Sequence, residues 1–217
     1  MKEARTDIAA VILAGGENRR FPSLKGFIEI NGVPLIRRTL DLLSGMFREV
    51  FISTNAPESY FHLGYPLIGD VLPSRGPMSG IYTTLLNARS EAVLVVACDM
   101  PFPGAAVINL LAQRYAAARQ SGSVQAVVPV YDNKPQPLLG IYTKAMLPRL
   151  EENIMNGKTA LGRFLQEEGV HFVDEISVRA ADPEGRSFIN INTVEDYDKV
   201  LADEVRRMAH GGVVVVQ

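Results

Sequence analysis

The stretch VILAGGENRRFPSLKG, residues 11–26, decides the fold of this chain. An apolar run, Ile8–Leu13, predicts a buried strand that ends abruptly at Ala14-Gly15-Gly16. Glycines without a Cβ let backbone N–H groups approach a ligand closely. A buried strand followed by such a turn predicts a ligand site at the carboxyl end of a parallel strand.

The polar loop behind this strand carries three cations, Arg19, Arg20 and Lys25, which suit a polyphosphate. It is not a P-loop, because Lys25 precedes Gly26 instead of Ser or Thr, and it lacks the G-x-G-x-x-G spacing of dinucleotide sites. The other interpretation is an ordinary glycine-rich turn with solvated arginines.

Short apolar runs alternate with amphipathic segments along the rest of the chain. This alternation is typical of βαβ units and predicts a mainly parallel sheet covered by helices, in a single domain spanning residues 1–217. The predicted strands are Ile8–Leu13, Val50–Ser53, Ala92–Ala97, 126–130, 138–142 and 170–173, and the predicted helices are 35–47, 79–88, 105–119, 143–153, 159–168 and 193–207.

Composition narrows the class of protein. The chain has 217 residues, 47% of them hydrophobic and 21% charged, which is ordinary for a globular protein. A net charge of −2 argues against nucleic-acid binding through a basic face. No apolar stretch reaches the ~20 residues that span a bilayer, and no signal peptide is recognisable. One cysteine excludes an internal disulfide, so we expect a cytoplasmic protein without membrane or nucleic-acid partners.

Two aspartates follow apolar runs. Asp99 comes directly after Ala92–Ala97 and is either the N-cap of a helix near Pro103 or a ligand for Mg²⁺, which favours one or two carboxylates with phosphate oxygens. Asp70 stands beside a Gly/Pro-rich stretch and is either a turn residue or a ligand contact.

Two polar residues, Ser53 and Asn55, stand at the end of the second predicted strand. A polar side chain there either binds a base or ribose or makes an Asx turn.

Five segments in order carry a family resemblance: LAGGENRRFPSLKG, GPMSGI, CDMPF, QPL and NINTVED, which begin at residues 13, 76, 98, 136 and 190. Together they resemble the molybdenum cofactor guanylyltransferases, nucleotidyltransferases that join GMP from GTP to molybdopterin with release of pyrophosphate. The resemblance extends over residues 11–201. Each segment alone is weak, whereas five in order are specific.

The resemblance implies a Rossmann-like three-layer nucleotidyltransferase fold, Mg²⁺ as cofactor, GTP and molybdopterin as substrates, and molybdoenzymes or cofactor-biosynthesis proteins as partners. The implied catalytic residues are Arg20, Lys25 and Asp99, with Asp99 as the metal ligand. The implied GTP-binding residues are Leu13, Ala14, Gly15, Gly16, Lys25, Ser53, Asn55, Asp70 and Asp99.

On the molybdopterin side we expect Asn190, Asn192 and Lys158, with Arg163 as a further cation. Amides give directed donors and acceptors without charge, which suits a pterin or a phosphate. The alternative for the two asparagines is capping of the helix that begins near Thr193.

The chain departs from the family pattern at Pro22, which stands where Gly is usual, and at Leu24, where Asp is frequent. Proline has no backbone N–H group, so position 22 cannot donate a backbone hydrogen bond to a phosphate. Two further interpretations therefore stay open: a cytidylyltransferase or another nucleotidyltransferase of the same fold, and a catalytically inactive GTP-binding partner.

The tail, residues 208–217, has four consecutive valines, Val213–Val216, after Gly211-Gly212, and β-branched residues favour an edge strand or an oligomer contact.

Deletion of residues 211–217 is expected to leave the chemistry intact, because the motifs end by Asp196. Size-exclusion chromatography and thermal unfolding distinguish the two placements. A smaller species indicates pairing between subunits, and an unchanged size with a lower Tm indicates pairing within one. Loss of activity in a folded, truncated protein would contradict both.

Overall fold

A computed structural model describes residues 5, 7–15, 24–72, 76–122, 124–167 and 170–211. Strands and helices alternate as predicted. The strands are β1 (Ile8–Leu13), β2 (Glu29–Ile30), β3 (Val33–Pro34), β4 (Val50–Ser53), β5 (Leu67–Ile68), β6 (Ala92–Ala97), β7 (Ala126–Tyr131), β8 (Lys134–Pro135), β9 (Leu139–Thr143) and β10 (His171–Val173). The α-helices are α1 (Leu35–Ser44), α2 (Pro77–Asn87), α3 (Ala105–Ser121), α4 (Leu147–Met155), α5 (Leu161–Glu167), α6 (Glu175–Ala181) and α7 (Val194–Gly211).

The main sheet has the strand order β10-β7-β9-β6-β1-β4-β5, with β8 paired to β7. Strand β1 pairs in parallel with β4 and β6, β4 with β5, and β7 with β10. Every antiparallel pair described in this sheet involves β8 or β9, which run opposite to the other strands. Residues 132–138 are too few for a crossover that would make β9 parallel to β7. The predicted mainly parallel α/β sheet is confirmed.

Helices cover both faces of the sheet. Every residue of β1 and β6 is buried, and successive side chains point to opposite faces. Ile12 packs in a cluster with residues of α1 and α3, whereas Val11 packs with residues of α2, α4 and α5. A smaller cluster joins the β2–β3 hairpin to α7 through Ile30, Ile191 and Val200. The two large clusters give the predicted three layers.

Several element boundaries differ from the predictions. The predicted helix 143–153 begins only at Leu147, because Thr143 is the last residue of β9. Helix α7 extends to Gly211, so the first part of the predicted tail strand is helical, and residues 212–217 lie outside the described part. Strand β5 and helix α6 were not predicted, whereas the β2–β3 hairpin lies where the sequence indicates a short strand-like run, Phe27–Ile30, before an Asn31-Gly32 turn. Among the described helices, none is both long and apolar enough to cross a membrane.

The first turns of α2 lie directly on the ends of β1 and β4. A Cβ placed on Gly80 would lie 2.6 Å from Ser53 Oγ and 3.0 Å from Leu13 Cδ2, and all three residues are buried or nearly so. Glycine at this helix position is therefore required by close packing, which outweighs its low helix propensity.

The substitution Gly80→Ala is expected to destabilise the protein by about 1–3 kcal/mol, since the core has no room for the methyl group. Differential scanning calorimetry should show a fall in Tm of about 2–4 °C per kcal/mol. Gly162→Ala in α5 is the matched control, because no neighbouring atom lies within 4 Å of its Cβ position. It should be neutral or stabilising. An unchanged Tm for Gly80→Ala would contradict the packing argument.

Candidate functional site

The carboxyl ends of four parallel strands, β6, β1, β4 and β5, meet at one edge of the sheet. Backbone hydrogen bonds continue the pairing past the strand ends: Ala14 N donates to Ser53 O (2.8 Å), and Cys98 N donates to Leu13 O (3.1 Å). The residues that follow these strands are thereby held side by side. They border a cleft of about 680 Å³.

Eight of the residues predicted to bind nucleotide line this cleft. They are Leu13, Ala14, Gly15, Lys25, Ser53, Asn55, Asp70 and Asp99. The other predicted residues on this side, Gly16 and Arg20, lie outside the described part of the chain. The structure thus brings together residues that are up to 86 positions apart in the sequence.

Lys25 reaches the cleft from a short 3₁₀ turn, Lys25–Phe27. Gly26 is buried, and its Cβ position is 3.4 Å from Ile36 and 3.6 Å from Tyr60, so the turn packs closely against both side chains. From there the Lys25 ammonium donates a hydrogen bond to Asp99 Oδ2 at 2.9 Å. The two side chains are 21% and 18% exposed, so solvent screens this ion pair only partly.

Asp99 is not the cap of the next helix, because α3 begins at Ala105 and its N-cap is Gly104. Its backbone carbonyl accepts a hydrogen bond from Ile191 N (2.9 Å), and its Oδ1 atom is buried without a hydrogen-bond partner among the described residues. An orphaned, buried carboxylate oxygen beside a cleft suits a hard cation. No group of three acidic, histidine or cysteine ligands occurs in the described part of the chain, so phosphate oxygens would complete the coordination.

Asn192 makes a contact that the sequence did not reveal. Its Oδ1 atom accepts a second hydrogen bond from the Lys25 ammonium, at 2.8 Å. The helix cap expected of Asn192 is made instead by its neighbours: Asp196 Oδ2 accepts from Thr193 N (3.0 Å), and Thr193 Oγ1 accepts from Asp196 N (3.2 Å).

The other residues predicted to bind molybdopterin are not joined to Asn192 by hydrogen bonds. Asn190 is exposed, and its amide donates to Phe188 O at 3.2 Å. Lys158 is exposed and does not line the cleft, although its neighbour Thr159 lies against Gly76, whose Cβ position is 3.8 Å from the Thr159 carbonyl. Arg163 is exposed on α5. The proposed molybdopterin side is therefore less compact than the nucleotide side.

Asn55 and Asp70 form a pair at the far end of the cleft, beyond β4 and β5. Asn55 Nδ2 donates to Asp70 Oδ2, and Asp70 N donates to Asn55 Oδ1, both at 2.8 Å. Burial raises the pKa of the Asp70 carboxyl, and the hydrogen bond from Asn55 offsets part of that effect. A hydrogen-bond donor on a ligand would further stabilise this carboxylate.

Tyr60 is a cleft residue that no spacing in the sequence indicated. It is 1% exposed, stacks on Phe27 at 5.2 Å between ring centroids, and donates a hydrogen bond to the Ala14 carbonyl at 3.4 Å. Burial, with a smaller contribution from Cys98, holds the pKa of its hydroxyl above the usual range, so it remains a donor. Tyr60 thus links the end of β1 to the turn that carries Lys25.

Cys98 lies beside Asp99 but is not a nucleophile. Burial, followed by the adjacent carboxylate, raises the pKa of its thiol to about 12. The thiol is therefore protonated at neutral pH and acts as a small buried side chain.

Helix α2 begins at the cleft through Gly76, Pro77 and Gly80 of the GPMSGI segment. Ser79 does not cap this helix, whose N-cap is Gly76, although serine is a preferred N-cap residue. It lies inside the first turn, where its hydroxyl donates to Leu72 O at 3.2 Å. Proline fits the first helical position, because its fixed φ is preorganised for the helix.

Comparisons with known proteins agree with this geometry. The family model of the MobA-like NTP transferase domain matches residues 10–172. A probable molybdenum cofactor guanylyltransferase of Peptoclostridium acidaminophilum is 32% identical over 200 residues, 90% of each chain. The molybdenum cofactor guanylyltransferase of Syntrophotalea carbinolica is 30% identical over 191 residues, 88% of this chain and 89% of the relative.

A solved structure shares the architecture. The molybdopterin-guanine dinucleotide biosynthesis protein A of Archaeoglobus fulgidus superposes with a TM-score of 0.78 at 26% identity, over 91% of this chain and 99% of that one. The predicted family and the predicted enzyme class, a nucleotidyltransferase, are confirmed. This chain belongs to the MobA-like NTP transferase family.

Proposed function

We propose that this protein transfers GMP from GTP to the terminal phosphate of molybdopterin and releases pyrophosphate. A phosphate oxygen of molybdopterin forms a bond to the α-phosphorus of GTP, and the bond from that phosphorus to the pyrophosphate oxygen breaks. The attacking oxygen is already an anion, so the reaction needs no general base. Its main requirement is the alignment of two negatively charged groups.

One observation carries the proposal. The Lys25 ammonium is held against Asp99 in the crevice between the ends of β1 and β6. The chain leaves β1 toward β4 on one side and returns to β6 on the other, which makes this crevice the switch point of the sheet, where ligands of open α/β sheets bind. The paired Lys25 and Asp99 also disfavour an inactive GTP-binding partner.

Different residues of the cleft would bind different parts of the two substrates. The Lys25 ammonium would stabilise charge that develops on the leaving pyrophosphate, together with Arg20 from the preceding loop. The backbone of residues 13–16 would lie along the base, since Gly15 has no neighbouring atom within 4 Å of its Cβ position. The Asn55–Asp70 pair and Ser53 would bind the ribose or base. Asn190 and Lys158 would contact molybdopterin.

Asp99 would hold a divalent cation, proposed to be Mg²⁺, through its unpaired Oδ1 atom. When bound, such an ion offsets phosphate charge and orients the triphosphate. A cytoplasmic location, where GTP is supplied, and transfer of the product to a molybdoenzyme or another cofactor-biosynthesis protein belong to the same proposal.

The isosteric substitution Asp99→Asn is expected to lower kcat by about 10²–10³, because the cleft loses the charge that holds both Lys25 and the cation. Pyrophosphate release with GTP, molybdopterin and Mg²⁺ measures the effect. Asp132→Asn is the matched control, since Asp132 forms its ion pair with Arg179 away from the cleft. Normal turnover by a folded Asp99→Asn protein would refute the role of Asp99.

GTP is expected to be used in preference to CTP and ATP. A residue without a Cβ at position 16, the second glycine of the LAGG segment, would not crowd the guanine amino group, so Gly16→Ala should erode this preference more than it lowers the Tm. Pyrophosphate release measured with each nucleotide tests both statements. Equal use of CTP by the unsubstituted protein would favour the cytidylyltransferase alternative instead.

A further inference from the structure

The Lys25 ammonium has two acceptors that are 93 positions apart in the sequence, Asp99 and Asn192. It donates to Asp99 Oδ2 at 2.9 Å and to Asn192 Oδ1 at 2.8 Å. An ammonium group carries three N–H donors. Two fixed acceptors therefore leave one N–H to point at a phosphate oxygen.

Asn192 is itself held firmly at the start of α7. On one side, Ile191 is fully buried and its N–H donates to the Asp99 carbonyl at 2.9 Å. On the other, the N–H groups of Asn192 and Thr193 both donate to Asp196 Oδ2 at 3.0 Å, and they hold the pKa of this carboxyl below its usual range. The side chain of Asn192 thus presents its carbonyl from a rigid backbone.

A free lysine side chain would spread over many rotamers, because its four-carbon stem is flexible. A single ion pair with Asp99 leaves the direction of the remaining N–H groups undetermined. A second acceptor at a fixed angle determines it, and an uncharged amide does so without adding negative charge that would repel a triphosphate. Glutamate or aspartate at position 192 would make the local charge net negative.

We infer that Asn192 is a positioning residue that acts through Lys25 and prepares the cleft for GTP, in addition to any contact it makes with molybdopterin. This inference rests on the proposed function, because it assigns the oriented ammonium to the phosphates of GTP. It predicts that loss of the Asn192 amide weakens GTP binding even when molybdopterin is absent.

The test is a double-mutant cycle on GTP binding, measured by isothermal titration calorimetry with Mg²⁺ and without molybdopterin. Asn192→Ala is expected to raise the Kd for GTP about tenfold, the effect of one hydrogen bond to a charged group. In the Lys25→Ala background the same substitution should change the Kd by less than about twofold, because the group that Asn192 positions is gone.

Asn87→Ala is the matched control for GTP affinity. Asn87 is an exposed amide at the last residue of α2, outside the residues that line the cleft, and its side chain donates to Thr83 O. Its removal should leave the Kd for GTP unchanged. Asn192→Leu, which removes the acceptor but keeps the volume, replaces Asn192→Ala if the alanine variant does not fold.

Two results would overturn the inference: an unchanged Kd in the Asn192 variants, or equal losses with and without the Lys25 side chain. Either would leave the proposed function standing if the unsubstituted protein binds GTP and releases pyrophosphate. Failure of the unsubstituted protein to bind GTP would instead remove the proposed function and the inference together.

Discussion

The parallel pairing of β1 with β4 and β6 is the constraint on which the site depends. These strands are buried over their whole length, so their register is set by packing on two faces at once. The pairing continues past the strand ends through backbone bonds at Ala14 and Cys98. As a result, residues that are far apart in the sequence lie side by side along one edge of the sheet, where polar residues such as Ser53, Asp70 and Asp99 line the cleft.

Hydrogen bonds and packing contacts between loops then fix the shape of the cleft that these residues line. Asn55 and Asp70 are joined by two reciprocal hydrogen bonds, and Tyr60 connects the Ala14 carbonyl with the turn that contains Gly26. Each link joins loops that follow different strands or precede different helices. Because these contacts form within the protein, their donors and acceptors are oriented before a ligand arrives, which is the condition for electrostatic stabilisation without reorganisation.

Much of this arrangement was predictable from the sequence, and the exceptions have physical causes. Ile8–Leu13 and Ala92–Ala97 match their predicted bounds, because apolar residues on both faces are characteristic of central strands. Asp99 and Asp70 were identifiable from their places after strands. The seven-residue α6 was missed because it is too short for a helical period, although Asp174 caps it by accepting from Ser177 N. The contact of Asn192 with Lys25 depends on where two distant loops meet, which no local pattern encodes.

The contact between Lys25 and Asn192 joins residues 167 positions apart, and this separation bears on how the chain folds. The strands β1, β4, β5 and β6 all lie within the first 97 residues, so the residues of this sheet edge are synthesised well before the segment at Ile191. Closing so long a loop costs entropy, which burial of Ile191 and Val200 against the β2–β3 hairpin offsets. Because α7 follows these strands in the chain, the surroundings of the Lys25 ammonium are completed only when the segment around Ile191 packs against the sheet edge.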